Sequence, residues 1–150
     1  MPSAVAVVAC ALALLGKSET TMPRIVLVDK APVHASAATE AFVSLPDPII
    51  YVVTSSPLFQ EAQASRNECG NLLVLKKLAS VLAHEEWHIK HGPDERGAYE
   101  AQLTALLLVG VPPGHSVYIN VTRSMQAVLK KGHQKPVMVL AATPLILGLP

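Results

Sequence analysis

The stretch Asn71-Leu72-Leu73-Val74-Leu75-Lys76-Lys77-Leu78-Ala79-Ser80-Val81-Leu82-Ala83-His84-Glu85-Glu86-Trp87-His88-Ile89-Lys90-His91-Gly92 decides how this chain is read. Apolar Leu72, Leu75, Leu78 and Leu82 recur at helical spacing, and Gly92 suits a C-terminal cap, so one long helix is predicted from Asn71 to His91. Near its end stands His84-Glu85-Glu86-Trp87-His88. Histidines at i and i+4 lie on one helical face, about one turn apart, and their rings can converge on one tetrahedral ion. Glu85, next to the first histidine, is turned about 100° around the helix. There it is kept from binding the ion but stays near an ion-activated water. This is the chemistry of zinc ligands plus a general base. With six His and eight Glu in 150 residues, roughly 0.01 random matches to the pattern are expected, which favours a functional reading. The bland alternative is an exposed helix in which Glu86 pairs with Lys90.

Zinc hydrolases usually take three protein ligands. His91, Asp94, Glu95 and Glu100 follow closely and are the candidates for the third. Proline at position 93 opens a second predicted helix, which runs to about Val109. On it Arg96, Glu100 and Thr104 form a polar stripe, which places Glu100 in solvent. Glu95, Ala98, Tyr99, Gln102 and Leu106 form a mostly apolar face. A carboxylate heading an apolar face is costly without compensation, and a cation between the two helices would supply it. A chain reversal at Gly92 sets Glu95 beside His88, and small Ala98 permits close approach of the helices. Glu95 is therefore favoured over the other three, with Asp94 the better first-turn acid for the helix dipole.

The pattern His84-Glu85-x-x-His88 followed by Glu95-Arg96-Gly97-Ala98 resembles the gluzincin group of zincin metallopeptidases, in a minimal form. The resemblance covers about residues 48–110. It implies that Glu95 is the third zinc ligand and Glu85 the catalytic base. It also implies an edge strand before the active-site helix along which a peptide or protein substrate lies, and residues 49–54 stand in that position. Two features depart from the group. Only six residues separate His88 from Glu95, and Tyr99 stands where several relatives carry an acid that supports a ligand histidine. A metzincin pattern fails, because His91 occupies the place of its glycine. Oxyanion donors would come from Tyr99, His115 or Tyr118. The same residues also suit a zincin-like sensor or interaction module that binds metal without turnover.

Outward from this centre the chain reads as a small α+β domain: a short sheet with an edge strand, then the active-site helix and the glutamate helix. Ile25 to Val28 and Ile49 to Thr54 are β-branched runs bracketed by proline or aspartate, and read as strands, with a short element between them around Ala38 to Val43. Ser56-Pro57 starts a helix to about Arg66, and Ser116 caps a last helix to Lys131. Residues 1–20 form an apolar N-terminal segment, 21–131 the domain, and 132–150 an apolar, proline-broken tail of unassigned role. The uncharged run from Pro2 to Gly16 resembles the apolar stretch of a secretory signal but has no basic residue before it, which leaves export and a cytoplasmic location equally open.

Composition narrows the classes. Half of the residues are apolar and 15% charged, so the bulk of the chain folds, and its length supports one core. A net charge of +1 with no basic patch argues against nucleic acid. Neither apolar terminus reaches the ~20 residues of a comfortable membrane span. Two cysteines without a CxxC argue against a thiolate zinc site, and Cys69 reads as a free or buried thiol. Oligomeric state and cleavage specificity are not legible.

Overall fold

The computed structural model describes residues 1–33, 35–36, 38–131 and, for their backbone, 139–141. The segment Ile49-Ile50-Tyr51-Val52-Val53 forms a strand because its β-branched and aromatic side chains suit a pleated surface buried on one face. It is the centre of a small mixed sheet built from β1 (Arg24–Val28), β2 (Ala41–Ser44), β3 (Ile49–Val53) and β4 (Val139–Ala141), in the order β1-β3-β2-β4. β1 runs parallel to β3 with Ile25 opposite Ile50. β2 is antiparallel to β3, and β4 antiparallel to β2. Phe42 and Tyr51 face each other across β2 and β3 and stack with ring centroids 5.0 Å apart, the kind of cross-strand pair that fixes register. The class is the expected α+β. One detail differs: β3 is an interior strand, so the edge position assigned to residues 49–54 belongs instead to β1 and β4. The apolar tail supplies β4; its other residues lie outside the described region.

Ile50, Val52 and Val43 point into the core and are wholly buried, in the layer where the long helix α3 (Leu72–His91) rests on β2 and β3. Helix α2 (Pro57–Gln63) starts at Ser56, whose hydroxyl accepts from the Phe59 amide, as its sequence suggests, and ends three residues earlier than expected. Asn71 caps α3 through its side chain, and Gly92 ends it. Helix α4 (Glu95–Leu108) packs back along α3, and α5 (Ser116–Lys130) packs on α4. The caps of these two helices differ from expectation. Asp94 rather than Pro93 begins α4, accepting from the Arg96 and Gly97 amides, and His115 rather than Ser116 caps α5.

The N-terminal run is a core element. Helix α1 (Ala4–Leu14) buries Val7, Val8, Cys10, Ala11 and Leu12 against the same core as α3. Valine gives up at most about 0.7 kcal/mol of helix propensity, whereas burying such a side chain contributes about 1.5–3 kcal/mol, so packing decides the conformation. Just beyond α1, the Lys17 ammonium donates to the Glu86 carboxylate on α3 at 2.5 Å. No described helix is long and apolar enough to cross a membrane.

The cysteines correct the sequence reading. Cys10 and Cys69 form a disulfide with Cα atoms 5.5 Å apart, tying α1 to the turn before α3. The pairing joins residues 59 apart in sequence, and spacing alone could not reveal it because the contact is created by the packing of α1. Closing a loop of that size is expected to stabilise the fold by about 4 kcal/mol. Replacing both cysteines with alanine should lower the urea-unfolding free energy by that order. A loss below about 1 kcal/mol would show that α1 holds its place without the bond.

Candidate metal centre

His84 and His88 occupy the last turns of α3, and both are wholly buried. Glu95, the first residue of α4, meets them from the facing helix. Its Oε1 lies 2.7 Å from His88 Nε2 and 3.3 Å from His84 Nε2. The three side chains bring one ligand atom each within 4.8 Å of one another and could hold a metal ion. Of the four candidates for the third position, only Glu95 is brought to the histidines. Asp94 spends both carboxylate oxygens on capping α4. Glu100 is exposed. His91 donates from Nδ1 to the Trp87 carbonyl oxygen at 3.2 Å, with its ring stacked on Trp87.

The other nitrogen of each buried ring settles what the site offers. His88 Nδ1 lies 2.8 Å from the Gly92 carbonyl oxygen, and His84 Nδ1 lies 2.9 Å from Gln102 Oε1. Both partners are acceptors, so both rings donate from Nδ1 and the neutral forms carry their lone pairs on Nε2. Those lone pairs converge on a carboxylate oxygen. His84 Nε2 makes no directed hydrogen bond there and is a buried polar atom without one. At 2.7 Å, His88 Nε2 and Glu95 Oε1 would repel unless a proton or a cation lay between them. Two imidazole nitrogens and one carboxylate oxygen suit a borderline divalent ion such as zinc.

Gly92 explains the His88 bond. Its backbone lies at φ 97°, ψ −160°, a region essentially restricted to glycine, and this conformation turns the carbonyl back toward the imidazole. The residue read as a helix cap thus also orients His88. Gly97 explains how α4 comes so close: a Cβ there would overlap the Trp87 ring. Ala98, expected to permit this approach, is buried as well, but the tight contact is at Gly97.

Burial pushes the His84 imidazole below its ordinary 6.5, with Glu95 pulling the other way. Burial also pushes the Glu95 carboxyl up, but the two imidazoles, when they carry a proton on Nε2 and donate to it, more than offset this and hold it at about 2. Glu86 is buried too, which raises its carboxyl, yet Lys17 and Lys90 hold it below its ordinary value. The Glu86–Lys90 pair of the bland reading forms, at 3.1 Å. The histidines are nonetheless buried beside it, so this is not a solvated helix face.

Glu85, one residue on from His84, is wholly buried. Of the residues considered as oxyanion donors, Tyr99 packs against the site, its ring edge-on to His84 with centroids 4.6 Å apart. His115 Nδ1 is committed to capping α5. Gln102 was seen only as part of the apolar face. It supports His84 from one turn beyond Tyr99, and an uncharged polar side chain two turns along the Glu95 face was the available signal. No protein family, characterised protein or solved structure matches this chain in comparison.

Two measurements follow from this geometry. On helix propensity alone, Gly97→Ala would stabilise α4 by about 1 kcal/mol. Overlap with Trp87 should instead destabilise the protein by about 1–3 kcal/mol and weaken metal retention, and a Trp87→Ala background should remove the penalty; chemical unfolding and elemental analysis read both. Acid behaviour is the second. Donation from the protonated imidazoles holds Glu95 at about 2 in the fold against an ordinary 4.5, so where those rings are protonated its ionised form stabilises the metal-free protein, and that contribution is lost as pH falls from 4.5 toward 2. His84 acts in the same direction below pH 6.5. Thermal melts of Glu95→Gln should show a flatter acid limb between pH 4.5 and 2 than those of the wild type.

Proposed function

We propose that this protein is a zinc-dependent peptidase in which His84, His88 and Glu95 hold the ion and Glu85 is the general base. One observation carries the reading: two buried imidazoles have Nδ1 against an acceptor oxygen and Nε2 converging on one carboxylate oxygen, so the neutral rings turn their lone pairs toward that oxygen. A cation relieves that arrangement, and burial makes the relief large. The spacing of the two histidines, the adjacent Glu85 and the glutamate on the next helix resemble the gluzincins, which is what favours hydrolysis of peptide bonds over other metal chemistry.

Zinc bound there supplies Lewis acidity, polarising the scissile carbonyl and easing deprotonation of water. The chain's own residues do the rest. His84 and His88 contribute neutral nitrogen donors, and Glu95 contributes the negative charge. Glu85 takes a proton from the attacking water and returns it to the departing amine as the C–N bond breaks. The gluzincin resemblance implies an extended substrate along a sheet edge, and β1 and β4 are the edges of the described sheet.

A second reading is favoured by the depth of the site. His84, His88 and Glu85 are wholly buried, and the Glu95 side chain is 24% exposed, which also suits a metal-binding sensor or interaction module without turnover. Metal content does not separate the two, but turnover does. Dialysed wild type is expected to retain about one zinc per chain, and His88→Ala and Glu95→Ala to lose it. Glu85→Gln is expected to keep the zinc and lose peptidase activity by at least about 100-fold. Activity of Glu85→Gln equal to the wild type would refute the mechanism, and zinc retention with no turnover by the wild type on a broad peptide library would favour the second reading.

A further inference from the structure

The bond from His84 to Gln102 continues into the protein. Gln102 Nε2 reaches Ser80 Oγ at 3.4 Å, and Ser80 Oγ donates to the Lys77 carbonyl at 2.7 Å. Ser80, His84 and Gln102 are all wholly buried, so no bulk water competes for these groups. The direction of the chain follows from its far end. A backbone carbonyl only accepts, so the single Ser80 proton is spent on Lys77, and the Ser80 oxygen can act toward Gln102 only as an acceptor. The Gln102 amide must then present its NH2 to Ser80 and its oxygen to His84. That orientation obliges His84 to donate from Nδ1 and leaves its Nε2 bare.

The opposite orientation has a specific consequence. With the Gln102 NH2 turned to His84, Nδ1 would accept and the ring proton would move to Nε2. That proton would face Glu95 Oε1, 3.3 Å away, and form a charge-assisted hydrogen bond in a buried site. Such a state is favourable without metal, yet it blocks the nitrogen that a metal needs. The carboxylate that completes the site therefore also rewards the wrong tautomer of His84.

We propose that Ser80 and Gln102 form a tautomer lock, in which Ser80 fixes the orientation of the Gln102 amide and so holds His84 in its metal-accepting form. Both are positioning residues, since Gln102 acts through His84 and Ser80 acts through Gln102. The role at the metal rests on the function proposed above, whereas the tautomer itself does not. A glutamine needs the lock because its two ends differ. A carboxylate at position 102 presents an acceptor in either orientation, so Gln102→Glu should make Ser80 dispensable for the tautomer.

The test uses the full chain and two readouts. Imidazole nitrogen NMR of the metal-free protein reports which His84 nitrogen carries the proton. Zinc competition against a chromophoric chelator reports affinity. Wild-type His84 is expected to be protonated at Nδ1. Ser80→Ala removes one buried oxygen and should give a mixture of tautomers and zinc affinity several-fold weaker, about tenfold at most. Gln102→Met, similar in size but without an acceptor, should weaken zinc by about 10–100-fold. Gln102→Glu should keep the Nδ1–H form, and adding Ser80→Ala to it should change neither readout. Circular dichroism confirms that each variant folds. The lock is overturned if Ser80→Ala leaves both tautomer and affinity as in the wild type, or if Ser80→Ala costs as much in the Gln102→Glu background as alone. Should the wild type bind no zinc while the tautomers follow this pattern, the lock stands and the metal reading fails.

Discussion

A carboxylate oxygen and two imidazole lone pairs occupy one small buried volume at the junction of α3 and α4, and the surrounding structure is organised around making that juxtaposition tolerable. With both rings neutral and no proton or cation between them, it would cost free energy, because buried polar groups need partners and electron-rich atoms repel. Both rings are held by acceptors at Nδ1, so neither can turn its lone pair away. The facing helix is held close because position 97 has no side chain, and α3 is seated on β2 and β3. A cation at the centre converts the cost into binding energy.

The parts of this arrangement that reside within one helix were legible in the sequence. Histidines at i and i+4, the intervening Glu85, the cap at Gly92 and the limits of α3 all follow from helical periodicity. Glu95 was also within reach, because a short reversal leaves few residues able to face His88, and an acid at the head of an apolar face needs a reason. What was hidden depends on contacts between elements. Gln102 looks like one more position on the α4 face until α4 is docked, when its oxygen proves to be within 2.9 Å of His84 Nδ1. Gly97 reads as a weak spot in a helix until the Trp87 ring is seen against it. Gly92 was legible as a cap, but the bond from His88 to its carbonyl was not.

The edge-strand and cysteine readings failed for related reasons. Strand order is a property of the sheet, and an apolar β-branched run such as residues 49–53 suits an interior place as well as an edge. Here β1 pairs with it on one side and β2 on the other. The uncharged run at the N-terminus carries the same hydropathy as a targeting segment. Its burial within the domain is decided by tertiary partners: the core beneath Val7, Val8 and Leu12, the disulfide to Cys69, and the Lys17–Glu86 ion pair that ties the chain beyond α1 to the helix bearing the histidines.

The most direct test of the central claim is X-ray absorption at the zinc edge on protein loaded with one equivalent of zinc and then dialysed. Nitrogen and oxygen scatterers are expected at about 2.0–2.1 Å, with multiple scattering from two imidazoles and no sulfur, since zinc–thiolate distances fall near 2.3 Å. A spectrum of fully hydrated zinc without imidazole scattering, or one with sulfur ligands, would contradict it.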